Sequence, residues 1–101
     1  MDTVLIAEDD GRIAAVLVKA LSIHGIAARV IGDGDAALTA SLSGQFALLI
    51  LDLGMPGKDG LAVLRELRAA RSDLPVIVLT GRAAPRRPIR SPLSPRAPTS
   101  T

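Results

Sequence analysis

The sequence predicts an α/β fold in which a mainly parallel sheet is covered by helices on both faces. Three observations carry this expectation. Four short runs, residues 4–7, 27–31, 46–51 and 76–79, are apolar nearly throughout, as strands of a parallel sheet are. Three segments between them place apolar residues at the three-and-four spacing of a helical face. The two kinds of element alternate strictly, β-α-β-α-β-α-β, which favours parallel strands joined by crossover helices.

The first strand, Val4-Leu5-Ile6-Ala7, stops abruptly at Glu8-Asp9-Asp10-Gly11. Ile13, Val16, Leu17, Ala20 and Leu21 then mark one face of a helix, with Asp10 placed to cap its start and Gly25 to close its end. Residues 27–31 read as a second strand. Gly32-Asp33-Gly34 follows as a turn, and Asp33 is placed to cap a second helix that uses Ala37, Leu38 and Leu42. The third strand, residues 46–51, ends at Asp52. Residues 54–60 form a loop, and Leu61, Leu64 and Leu67 mark a third helix ending near Arg71. Pro75 precedes the fourth strand, which ends at Thr80.

At 101 residues the chain has room for one small domain. Phe46 is its single aromatic residue, so Leu, Ile, Val and Ala must build the core. Without cysteine, disulfides and thiolate metal sites are excluded. No apolar run is long enough to cross a bilayer, and the start lacks the positive region of a signal peptide, so a cytoplasmic location without a membrane partner is expected. The net charge of +2 hides two opposed parts. Residues 1–80 carry seven basic and ten acidic residues, whereas residues 81–101 carry five arginines and no acid. The average is thus no sign of a nucleic-acid binder, and none is expected of the first part. Residues 83–101 hold five of the seven prolines and no periodicity, and read as a disordered tail after a domain spanning 1–82.

In open α/β sheets, ligands gather at the carboxyl ends of the strands. Glu8-Asp9-Asp10, Asp52 and Thr80 each follow a different apolar strand directly, so one fold brings them to one edge. Clustered carboxylates repel, and a divalent cation such as magnesium, which prefers oxygen ligands, resolves the conflict. A carboxylate is also a nucleophile that forms acyl phosphates. Taken singly, acids after strands are common turn formers and caps, which is the plainer reading of Asp10, Asp33 and Asp73. His24, near a helix C-terminus, is read as a solvated residue favoured by the dipole.

These residues resemble a known family. Leu5-Ile6-Ala7-Glu8-Asp9-Asp10 is similar to the opening acidic strand of bacterial response-regulator receivers. Asp52-Leu53-Gly54-Met55-Pro56-Gly57-Lys58-Asp59-Gly60 resembles their phosphoacceptor loop, and Val76-Ile77-Val78-Leu79-Thr80 their strand ending in Thr or Ser. The resemblance implies a flavodoxin-like sheet ordered 2-1-3-4 and a phosphoryl group accepted from a sensor histidine kinase or phosphotransfer protein. Asp52 would be the phosphoacceptor. Glu8, Asp9, Asp52 and the backbone carbonyl of Gly54 would hold Mg2+, and Thr80 would contact the phosphoryl oxygens. Pro56, Asp59 and Gly60 would shape the loop. No enzyme turning over an external substrate is implied, at most magnesium-dependent self-phosphorylation and autodephosphorylation.

The family pattern has five βα units, and this chain matches three and a fourth strand. The lysine and the aromatic residue that the family carries on its fifth strand have no counterpart. Lys19 and Lys58 lie in other elements, and the geometry of Arg82 is not fixed by the sequence. A truncated receiver is therefore expected, with an exposed edge strand that favours oligomers or aggregation. An inactive fragment is the alternative to a working phosphoacceptor. Arg, Pro and Ala have GC-rich codons, so the tail reads as a frameshift product. A receiver-like continuation in another frame of the gene would support that, and its absence would remove it. A basic tail that contacts nucleic acid or an acidic surface is the competitor, disfavoured by the lack of aromatic residues and of an amphipathic pattern.

Two enzyme readings compete. Gly32-Asp33-Gly34-Asp35-Ala36-Ala37 satisfies a dinucleotide-binding fingerprint, but Asp33 and Asp35 stand where a pyrophosphate would lie. A haloacid-dehalogenase-like phosphatase wants a second Asp two residues after the nucleophile, where this chain has Gly54.

Overall fold

A computed structural model describes residues 2–79. Thr80 and the proline- and arginine-rich stretch 83–101 lie outside the described residues, and so do the expectations that concern them.

The elements follow in the order β1 (Thr3–Ala7), α1 (Gly11–Ile23), β2 (Ala27–Ile31), α2 (Gly34–Ser41), β3 (Leu48–Asp52), α3 (Gly60–Ala69) and β4 (Val76–Leu79). All strand pairs are parallel, and the sheet order is β2-β1-β3-β4. The register aligns Ala7 with Leu51 across β1 and β3, and Asp52 with Leu79 across β3 and β4. The ends of the two central strands therefore lie side by side.

Local chemistry starts each helix. The Asp10 carboxylate accepts from the amides of Arg12 (2.9 Å) and Ile13 (3.4 Å). Asp33 accepts from Ala36 (2.9 Å), and Asp59 accepts from Ala62 (3.0 Å). Each satisfies backbone donors that have no partner inside the first turn. Gly25, past the His24 cap of α1, has φ +74°, the left-handed conformation that glycine reaches at no steric cost.

One core cluster forms on the side of α2 and α3, from Leu5, Ala7, Leu49 and Leu51 of the sheet, Ala37 of α2, Val63 and Leu67 of α3, Met55 and Leu74. The other, below α1, has Val4, Ile6 and Ile50 as its buried members among the described residues, with Leu17, Val18 and Leu21 half-buried around them.

Several boundaries and faces differ from the sequence reading. The third strand is Leu48–Asp52 rather than 46–51. Phe46 precedes it and packs on the larger core cluster, and Asp52 is itself a strand residue. In α1 the inward face is Ala14, Leu17, Val18 and Leu21, so Val16 is solvent-exposed at 68%. In α2 the buried positions are Gly34, Ala37 and Ser41, whose hydroxyl donates to the Ala37 carbonyl at 2.7 Å. Leu42 is the exposed cap. The third helix ends at Ala69, and Val63 and Leu67 face inward while Leu61 faces solvent. Leu67 is buried and Leu64 packs partly on the core, as the spacing predicts, but Gly60 and Val63 are buried where Leu61 was expected.

β4 pairs with β3, and Ile77 and Val78 are exposed at 51% and 38%. Apolar side chains on a poorly covered strand invite edge-to-edge association. Ile77→Lys is expected to shift the sedimentation profile toward monomer while leaving the melting temperature nearly unchanged. An unchanged association state would show that this strand does not drive self-association.

Candidate phosphoacceptor site

β1 and β3 place their last residues at the carboxyl edge of the sheet. Glu8 follows β1 directly, and its amide donates to the Ile31 carbonyl at 3.1 Å, which continues the ladder with β2 by one residue. Asp9 then turns outward. Asp52 closes β3 opposite Leu79. Glu8 and Asp52 are each 2% exposed, whereas Asp9 faces solvent. One carboxylate oxygen from each of the three lies within 4.8 Å of the others. The sequence reading brought these three together, and the fold does the same.

Backbone donors hold Glu8 and Asp52. The Asp10 amide donates to Glu8 Oε2 at 3.0 Å, and the Gly54 amide donates to Asp52 Oδ1 at 3.2 Å. The second bond folds the chain after β3 back toward the carboxylate and keeps Gly54 beside it. Two buried acids and a third at the rim form an oxygen-only donor set without sulfur or imidazole. Magnesium takes such sets, with one or two carboxylates and several waters. The residues present therefore fit that ion.

The loop from Leu53 to Asp59 is fixed at both ends. The Leu53 amide donates to the Leu79 carbonyl, and the Gly60 amide donates to the Leu53 carbonyl at 3.2 Å. Gly60 is packed so closely that a Cβ there would stand 2.6 Å from Leu53 Cα and 2.8 Å from the Asp52 carbonyl oxygen. Met55 points inward and is 5% exposed. Pro56 lies in the turn, Asp59 is the N-cap of α3, and Gly60, read from the sequence as the end of the loop, is the first residue of α3. Asp10 and Asp33 are caps, in agreement with their structural reading.

Lys58 ties this loop to two helices. Its Nζ hydrogen-bonds Glu66 of α3 at 2.5 Å and lies 3.8 Å from Asp35 of α2. The hydrogen bond to Glu66 holds the ammonium pKa above the usual lysine value, despite some desolvation, and Asp35 adds to it. The sequence reading assigned no role to Lys58. Its partner Glu66 is eight residues away and Asp35 lies in another element, so no local spacing pointed to the pair.

The model of the response regulator receiver domain matches residues 4–91. The chain belongs to the response regulator receiver family. The transcriptional regulatory protein TctD of Salmonella typhimurium is 45% identical over 80 residues, covering 79% of this chain and 36% of TctD. This receiver chain thus spans about a third of the length of the curated relatives it matches. Response regulator TrrA of Thermotoga maritima, solved in complex with Mg(2+)-BeF, superposes with a TM-score of 0.74 at 34% identity, covering 80% of this chain and 70% of TrrA. A complex of histidine kinase ThkA with TrrA gives a TM-score of 0.73 at 32% identity, covering 88% and 77% of the two chains. The parallel sheet in the order 2-1-3-4, expected from the sequence, is that of receiver domains. Among the described residues, no helix is long and apolar enough to cross a membrane.

Proposed function

We propose that this receiver accepts a phosphoryl group on Asp52 from the phosphohistidine of a sensor histidine kinase or phosphotransfer protein in the cytoplasm. The observation that carries the reading is the meeting of Glu8, Asp9 and Asp52 within 4.8 Å at the end of a parallel sheet. Mg2+ in this site would neutralise charge on the phosphoryl oxygens during transfer. Glu8, Asp9, Asp52 and the Gly54 carbonyl would hold it. Asp52 supplies the nucleophile. One of its carboxylate oxygens bonds to phosphorus as the bond from phosphorus to the donor imidazole nitrogen breaks. The electron pair stays on that nitrogen, which then takes a proton. The Gly54 amide orients Asp52 through Oδ1. Thr80 directly follows β4 in sequence, and its hydroxyl is assigned to a phosphoryl oxygen on the family resemblance. The solved complexes of TrrA with a kinase and with Mg(2+)-BeF support the donor and the ion by analogy. The chemistry amounts to self-phosphorylation and autodephosphorylation rather than turnover of an external substrate.

A second reading has its own observation. β4 leaves Ile77 and Val78 exposed, and among the described residues the buried cluster on the α1 side is the smaller of the two, so a receiver that folds loosely and transfers nothing is the competitor. Incubation with acetyl phosphate and Mg2+ separates the two. Uptake of one phosphoryl group, mapped to the Asp52 peptide and blocked by EDTA, is the expected result. No uptake under conditions that label an intact receiver would establish the inert reading.

A further inference from the structure

The turn between β2 and α2 carries the Gly32-Asp33-Gly34 motif, which neither dinucleotide binding nor the phosphoacceptor chemistry explains. Gly32 lies beside the Glu8-Asp9 corner, and Gly34 lies against the backbone of Lys58 in the loop after Asp52. A Cβ on Gly32 would stand 3.4 Å from Asp9 Cα and 3.6 Å from the Glu8 carbonyl oxygen. A Cβ on Gly34 would stand 1.8 Å from the Lys58 carbonyl oxygen and 2.7 Å from its carbon. Carbon–oxygen contacts settle at about 3.3 Å or more, so a side chain at Gly34 forces the loop away by over an ångström. Glycine at this position is not needed for backbone conformation, because Gly34 is the first residue of α2 and its φ is not positive. Alanine there raises helix propensity. The glycine is thus explained by close approach.

Further ties join the same turn to the same loop. The Gly34 amide donates to the Pro56 carbonyl at 3.2 Å. Gly57, at φ +79°, would place a Cβ 2.5 Å from Asp33 Oδ1. Lys58 reaches Asp35 and Glu66. The loop held this way is the one whose first residues, Leu53 and Gly54, flank Asp52.

We infer that Gly34 is a positioning residue for the phosphoacceptor site: the β2–α2 turn is a seat that sets where the loop 53–58 lies relative to the Glu8-Asp9 corner. The inference rests on the proposed function for its link to Mg2+, though not for the position of the loop.

The test compares the full chain with Gly34→Ala, Gly32→Ala and Gly11→Ala. Gly11 is a control at the first position of α1, where a Cβ meets nothing within 4 Å. Two readouts are taken at a temperature where every variant is folded. In metal-free buffer, amide NMR follows residues 53–58 and the exchange protection of the Gly60 amide, which bonds to the Leu53 carbonyl. A Mg2+ titration then follows the Gly54 amide shift. Gly34→Ala is expected to shift the loop amides, to reduce Gly60 protection, and to weaken Mg2+ binding roughly tenfold to hundredfold, the range for groups that orient metal ligands. Gly32→Ala is expected to show a smaller loss and Gly11→Ala none. A merely structural role would lower the melting temperature and leave the affinity of the folded protein unchanged. Unshifted loop amides with unchanged affinity in Gly34→Ala overturn the inference, and so does an equal effect in Gly11→Ala. Wild-type protein that binds no Mg2+ would count against the proposed function instead, and the metal-free readout would still decide the position of the loop. If Gly34→Ala does not fold, Lys58→Met removes side-chain ties without adding atoms at the seat. Shifted loop amides are then expected, and unchanged ones overturn the inference.

Discussion

Asp52→Asn is expected to abolish phosphoryl uptake and to raise the melting temperature of the metal-free protein. The two effects have one cause. Asp52 and Glu8 are buried, and their oxygens lie within 4.8 Å of one another and of Asp9. Two unit charges at that distance repel by about 3 kcal/mol at an effective dielectric constant near 20. Backbone donors offset part of this, and solvent screens Asp9 more than Glu8. Asparagine removes one charge and keeps an acceptor oxygen for the Gly54 amide. A net relief of only about 1 kcal/mol would raise the melting temperature by roughly 4–8 °C in a domain of this size. Magnesium should reverse the order. An ion that binds only the folded state stabilises it by about 2.7 kcal/mol at a hundred times its dissociation constant. The wild type is expected to gain that increment and the variant little of it. Melting curves with and without Mg2+ check both halves. A lower metal-free melting temperature for Asp52→Asn, or equal Mg2+ shifts in the two proteins, would contradict the electrostatic account of the site.

The strand-helix alternation and the acidic edge were legible in the sequence because they depend on local patterns. An apolar run ending in an acid says both where a strand lies and where its polar end points, and β1 and β3 are of this kind. The helical faces were less legible. Val16, Leu42 and Leu61 looked like core by type but face solvent, while Ala14 and Val63, not singled out, lie inside beside the expected Ala37. Small residues are what a helix needs where it lies closest to a sheet, and residue size alone does not reveal that proximity. Gly34 and Lys58 were illegible for a different reason. Their roles arise from contacts between the β2–α2 turn and the loop after β3, and only the fold brings those segments together. Gly32 and Gly34 did stand out, as a dinucleotide fingerprint. At Gly34 the requirement for close backbone approach was real, but the approaching group is the Lys58 backbone rather than a pyrophosphate, and at Gly32 a Cβ would make ordinary contacts.

Leu67→Ala is expected to cost a large share of the whole stability. Leu67 is fully buried, in one cluster with Leu5, Leu49 and Leu51 of the sheet and Val63 of its own helix. Truncating such a leucine costs about 2.7–5 kcal/mol, from lost transfer free energy and the cavity left behind. At 0.05–0.15 kcal/mol per residue, a domain of roughly 80 residues is stable by about 4–12 kcal/mol. The opposite side of the sheet offers less to make up the loss, because among the described residues its buried cluster, Val4, Ile6 and Ile50, is the smaller one. Leu61→Ala, on the solvent face of the same helix, is expected to change stability by about 1 kcal/mol or less. Urea unfolding followed by circular dichroism checks both, and a loss below about 1 kcal/mol for Leu67→Ala would contradict the packing. The consequence reaches the site. Leu49 and Leu51 share β3 with Asp52, so a core that slackens around Leu67 slackens the strand that aims the nucleophile. Phosphoryl uptake by Leu67→Ala is therefore expected to fall faster with temperature than that of the wild type, tracking the fraction of folded protein.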